Sequence, residues 1–276
     1  MCLIVFSWAP DAPTPLVLLA NRDEFFERPA EPMHWWRDRT DVLGGRDLRG
    51  GGTWLGVNRS GRFAALTNFR DGRAPMAPKD APSRGLLVSA MLDATPFDGD
   101  LARVEKHAHE YAGFNLLTGD LRAGKLFWLG NRDDARRGQD GDTQRRPPPV
   151  AHPIAAGIHG LSNALLDTPW PKLVSRRDAL GAALAEGADD MTLLTLMRDP
   201  TQAPDDALPE TGVTPAWEKA LSAAFIASPA YGTRCTTLLR YHRDGTLELT
   251  ESTVSPGQSA DDLNDLRRYR FQIART

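Results

Sequence analysis

Cys2, directly behind the initiator methionine, holds the position in this chain that most favours covalent chemistry. Cysteine is small enough for Met1 to be trimmed before it, and trimming leaves a thiol and a free α-amine on one residue. Their ordinary pKa values, about 8.5 and about 7.7–8.0, let the amine act as base for the thiol. Asp23 lies in Asn21-Arg22-Asp23-Glu24, at the end of an apolar run, and offers a carboxylate to hold that amine. Asn68 and Asn163 each follow an apolar segment and carry amides suited to an oxyanion. Arg234 opens another such segment; a guanidinium there would lower a thiol pKa or bind a substrate carboxylate. Each residue also has a plainer use. Cys2 would begin a buried strand, Asp23 and the asparagines would form turns, and Arg234 would make a surface ion pair.

Strand alternation constrains this set. Asn21 and Asp23 share one face, and Arg22 and Glu24 share the other. Cys235 points opposite to Arg234 and reads as a core residue. Gly50-Gly51-Gly52 precedes a strand rather than a helix, so it is not a dinucleotide loop, and its glycines read as permitting close backbone approach. His107 and His109 lie two apart on an expected helix and face different directions, and the other four histidines are isolated. No metal and no cofactor are expected.

Met1-Cys2 and Asn21-Arg22-Asp23-Glu24 together resemble the NRDE family, also called the transport and Golgi organization family. Residues 50–56 (GGGTWLG), 65–70 (ALTNFR), 161–163 (LSN) and 231–234 (YGTR) fit the same resemblance. The family is similar to the cysteine branch of the N-terminal nucleophile hydrolases, which includes bile-salt hydrolases and penicillin V acylases. The resemblance implies a four-layer αββα sandwich. It also implies cleavage of linear amide bonds by Cys2, served by Asp23, Asn68, Asn163 and Arg234, with Asn21, Arg22 and Trp54 contacting substrate. In those hydrolases an Arg and an Asp from this strand end approach the thiol without being neighbours, and adjacent Arg22 and Asp23 depart from that spacing. Family members have also been linked to haem trafficking and acyl-lipid handling. The alternative is therefore a carrier of haem or acyl-CoA, bound noncovalently because no Cys-x-x-Cys-His attachment site is present.

The remaining sequence positions these groups. At 276 residues, 41% hydrophobic and 25% charged, the chain can bury a sizeable core and is read as a single domain. A net charge of −3 gives no electrostatic reason to expect nucleic acid. Two cysteines exclude a disulfide framework and a thiolate zinc site. No apolar run reaches a membrane span, and the start lacks a basic leader, so a cytoplasmic location is expected. Residues 2–7 and 16–21 read as two strands with apolar residues on both faces, joined by a proline-rich turn. Residues 24–47 read as irregular, and 131–149, rich in charge, glycine and proline, as a mobile loop. Hairpins are expected around 58–61, 119–120 and 243–245. Helices are expected at 83–92, 101–111, 170–186, 191–198 and 215–226, the last capped by Thr214. Many hairpins with helices between them, without βαβ alternation, indicate α+β with largely antiparallel sheets.

Overall fold

The computed structural model describes residues 2–74, 81–93, 95–132 and 149–274. In chain order the strands and helices begin with β1 (Cys2–Trp8), β2 (Leu16–Phe25), β3 (Ala30–Trp35), β4 (Val42–Asp47), β5 (Leu55–Asn58) and β6 (Arg62–Asn68). Two helices follow, α1 (Gly85–Met91) and α2 (Phe97–His107), and then β7 (Phe114–Asp120), β8 (Lys125–Gly130), β9 (His152–Pro153) and β10 (Gly157–Leu161). The last third holds α3 (Pro171–Ala185), α4 (Asp190–Leu196), α5 (Pro215–Ala220), β11 (Tyr231–Tyr241), β12 (Thr246–Thr253) and β13 (Leu266–Gln272). The loop expected over 131–149 lies outside the described residues except at its ends.

The chain forms two compact units. One comprises residues 1–28, 155–162 and 166–272, and the other 29–154, 163–165 and 273–276. The first contains a six-stranded sheet in the order β10-β1-β2-β11-β12-β13, and the second a seven-stranded sheet in the order β3-β4-β5-β6-β7-β8-β9. Every strand pair is antiparallel. The class is α+β, and the sheets and helices supply the element types of the expected αββα sandwich.

In the first unit β1 and β2 are buried on both of their alternating residue sets, with Leu3, Ile4, Val5, Phe6, Leu18 and Leu19 all at most 1% exposed. That is why their apolar runs are continuous. The helix α3 packs on β1 and β10, and its Leu173 sits so close to Gly160 that a Cβ there would lie 2.6 Å away. In the second unit α1 and α2 cover one face of the sheet in a core that includes Trp36, Val88, Met91, Phe114 and Leu116.

Three local expectations are corrected. Residues 24–47 hold β3 and β4 rather than an irregular segment. Pro32 is tolerated because β3 is an edge strand, where a missing N–H costs no ladder bond, and the register shifts beside it between Glu31 and His34. The helix expected over 215–226 stops at Ala220, although Thr214 does cap it by accepting from the Trp217 N–H. Beyond it, the Ala224 carbonyl accepts from Asn21, the Phe225 N–H donates to Asp199, and the Ile226 N–H donates to Thr233. Those tertiary bonds outweigh continued helix. Finally, β7 runs through Gly119 and pairs Asp120 with Lys125, so the turn falls at 121–124.

One clasp in the first unit carries a pH dependence. His159 Nδ1 lies 2.7 Å from Asp167 Oδ2, and its Nε2 lies 3.0 Å from the Ala155 carbonyl. Both partners are acceptors, so only the protonated imidazole, donating from both ring nitrogens, makes both bonds at once. The hydrogen bond to Asp167 is the main cause of a raised His159 pKa; burial and Arg177 oppose it. A raised folded pKa means that this stabilisation is complete below the unfolded value of about 6.5 and is lost as pH rises through the folded value. Thermal melts are expected to show wild-type protein losing more stability between pH 6 and pH 8.5 than His159→Gln. Parallel pH profiles of the two proteins would exclude the clasp as a titrating element.

Candidate active site

The end of β2 organises the candidate residues of the first unit. In the sheet, Cys2 pairs with Arg22, and Arg22 pairs on its other side with Cys235. Strand alternation therefore sets Cys2, Arg22 and Cys235 in one row on one face, with Asn21 and Asp23 on the opposite face. Arg22 is 6% exposed, and its positive charge lowers the pKa of both thiols.

Cys2 is half-buried. Burial raises its thiol pKa and the Asp23 charge raises it further, while Arg22 and the Asp23 backbone N–H on the sulfur pull it down. Cys235 is buried, and burial together with Glu251 pushes its thiol well above the ordinary value. Thiolate is the reactive form, so reactivity follows both exposure and pKa. Iodoacetamide near neutral pH is expected to modify Cys2 first in the folded protein, with Cys235 reacting only after denaturation. Peptide mapping reads the order, and prior modification of Cys235 would overturn it.

Asp23 is 1% exposed. Burial raises its carboxyl pKa, and Lys172, the Thr233 hydroxyl and Arg22 work against that rise. Thr233 Oγ1 donates to Asp23 Oδ1 at 2.8 Å, and the Tyr231 hydroxyl donates to the Asp23 carbonyl at 3.1 Å. Lys172, in the first turn of α3, is 5% exposed. Neither Lys172 nor Thr233 stood out in the sequence. A lysine within Trp170-Pro171-Lys172-Leu173-Val174, the apolar start of a helix, was the available signal for the first. Thr233 sat in plain view beside Arg234.

Asn21 is committed to the fold. Its Nδ2 donates to the carbonyls of Met197 (2.7 Å) and Ala224 (2.8 Å), and its Oδ1 accepts from Thr236 Oγ1 (2.8 Å). Arg234 is the extra residue of a β-bulge: β11 shifts register between Thr233 and Cys235 against β2. Its Nη1 donates to the carbonyls of Phe25 (2.8 Å) and Arg28 (3.1 Å), and its guanidinium lies over the Phe26 ring at 5.6 Å.

The other three candidates belong to the second unit. Asn163 is fully buried; its Nδ2 donates to the Asn68 carbonyl at 2.8 Å, and its own carbonyl accepts from the Arg70 N–H at 2.7 Å. Asn68 and Asn163 are thus brought together. Trp54 lies against Gly45, where any Cβ would overlap its ring. Among the described residues, no three His, Cys, Asp or Glu side chains gather as a metal site, and no helix is long and apolar enough to cross a membrane.

The model of the family described as Transport and Golgi organisation 2 matches residues 1–256. The chain belongs to the transport and Golgi organisation 2 family. Within this family it is similar to a transport and Golgi organization protein 2 homolog of Bos taurus, 35% identical over 92% of this chain and 93% of that protein. The Homo sapiens homolog is 33% identical over 99% of both chains. Among solved structures, the chain is similar to a Caenorhabditis elegans ortholog of N-acylethanolamine-hydrolyzing acid amidase. That likeness has a TM-score of 0.47 and 7% identity, and it covers 86% of this chain and 92% of the other.

Proposed function

We propose that this member of the transport and Golgi organisation 2 family is a cysteine N-terminal nucleophile hydrolase acting on linear acyl C–N bonds. The observation that carries the reading is the setting of Cys2. Its sulfur sits between the Arg22 charge and the Asp23 N–H, and the Asp23 carboxyl is buried and held by Thr233. Because burial keeps the thiol protonated near neutrality, attack needs a base close at hand, and the Cys2 α-amine is that base once Met1 is gone. The sulfur adds to the amide carbon, the carbon–nitrogen bond breaks as the amine takes the relayed proton, and water then hydrolyses the thioester. Asp23 orients the α-amine, and Arg22 favours anionic species near the thiol.

The test uses untagged protein whose intact mass shows whether the chain starts at Cys2, screened against N-acyl amino acids and penicillin V. The expected result is loss of Met1 and cleavage of at least one amide class. Quantitative retention of Met1 would sink this mechanism. Absence of all cleavage, with tight binding of haem or acyl-CoA by the same protein, would replace it with the carrier function.

A further inference from the structure

Two hydrogen bonds fix the direction of one proton beside Asp23. Thr233 of β11 pairs with Asp23 of β2 and is fully buried. Its Oγ1 accepts from the Ile226 N–H at 3.0 Å, and its own N–H donates to the Ile226 carbonyl at 2.8 Å. The hydroxyl is therefore held by the backbone of a second segment. That segment lies close: a Cβ on the preceding Gly232 would sit 2.5 Å from the Ile226 carbonyl oxygen. A threonine hydroxyl has one proton and two lone pairs. With Ile226 donating to the oxygen, the Thr233 proton goes to Asp23 Oδ1, 2.8 Å away. Thr233 thus meets Asp23 as a donor, and a donor favours the ionised, acceptor-only form of a carboxyl group.

We propose that Thr233 is a positioning residue for amide cleavage: its hydroxyl, locked by Ile226, keeps Asp23 an oriented carboxylate that can hold the Cys2 α-amine. The inference rests on the N-terminal nucleophile reading of the site. It matters there because burial pushes the Asp23 carboxyl toward its neutral form, which holds an ammonium poorly. Lys172 and Arg22 oppose that push as charges, whereas Thr233 opposes it through a bond to one named oxygen. A charge favours ionisation whichever way the carboxylate is turned. The hydrogen bond adds the orientation.

The test follows the Asp23 carboxyl carbon by NMR against pH in full-length protein labelled at aspartate, with Asp23→Asn assigning the signal. Thr233→Val keeps the side-chain shape and removes the proton. It is expected to raise the Asp23 midpoint by about one unit, a tenfold change in proton affinity. The acid limb of kcat/KM should move upward with it, and Thr233→Ser should restore both. Thr233→Cys, a weaker donor, should give a smaller upward shift and serves where the valine variant does not fold. Tyr231→Phe removes only the hydroxyl that donates to the Asp23 main-chain carbonyl. It is expected to lower thermal stability and leave the midpoint in place. An unmoved midpoint in the valine or cysteine variant would overturn the proposal. So would a shift that Thr233→Ser fails to reverse, an equal shift in Tyr231→Phe, or an acid limb that stays while the midpoint moves. Absence of amide cleavage by wild-type protein would count against the hydrolase reading instead, and the NMR midpoint would still decide whether Thr233 holds the carboxylate.

Discussion

Cys2→Ser protein is expected to fold normally and to lose amide turnover by about 10³-fold or more, the scale of removing a nucleophile from a catalytic unit. The hydroxyl keeps the shape of the thiol but is a far weaker acid, so its attack depends more heavily on the amine base. Single-turnover and steady-state measurements on matched preparations read the loss, and amide turnover retained by Cys2→Ser would refute the nucleophile assignment.

The second large effect is on stability. Gly52→Ala is expected to destabilise the protein by about 3 kcal/mol, the upper range for forcing extra volume into a packed site. A Cβ at Gly52 would overlap the Gly85 carbonyl group and lie 2.8 Å from the Leu86 nitrogen. Both are backbone at the start of α1, so no side-chain rotation relieves the clash. Gly51 is the internal control. It has φ of +75° with nothing within 4 Å of an added Cβ, so Gly51→Ala carries only the left-handed backbone cost of about 1–2 kcal/mol. Denaturant midpoints with unchanged slopes measure both, and a Gly51→Ala loss as large as that of Gly52→Ala would refute the close-approach explanation.

These glycines show what was legible in the sequence. A strand after Gly50-Gly51-Gly52 excluded a nucleotide loop and indicated close backbone approach, and Gly52 makes that approach to Gly85. Strands with apolar residues on both faces, such as β1 and β2, announced themselves through continuous runs. By contrast, β3 and β4 were hidden by Pro32 and by Gly44-Gly45. The pattern of local propensity argues against strand there, and only the edge position and the Trp54 ring explain those residues. The end of α5 was equally hidden, because the bonds that stop it come from Asn21 and Thr233, far away in sequence. Within the site, alternation separated Arg22 from Asp23 across the sheet. Lys172 was out of reach, since its proximity to Asp23 depends on how α3 lies on β1.

The bulge at Arg234 has a further meaning. Thr233 faces Asp23, Cys235 faces Arg22 and Thr236 faces Asn21, so the ladder would close in the same register if residue 234 were deleted. Arg234 is thus supernumerary to the ladder with β2, while its carbonyl still accepts from the Val254 N–H at 2.8 Å on the other side of the strand. Its side chain can therefore differ without moving the threonines that hold Asn21 and Asp23. The strand keeps its architecture in one set of residues and its guanidinium in another, so the charge at this bulge and the carboxylate's supports are separable by mutation.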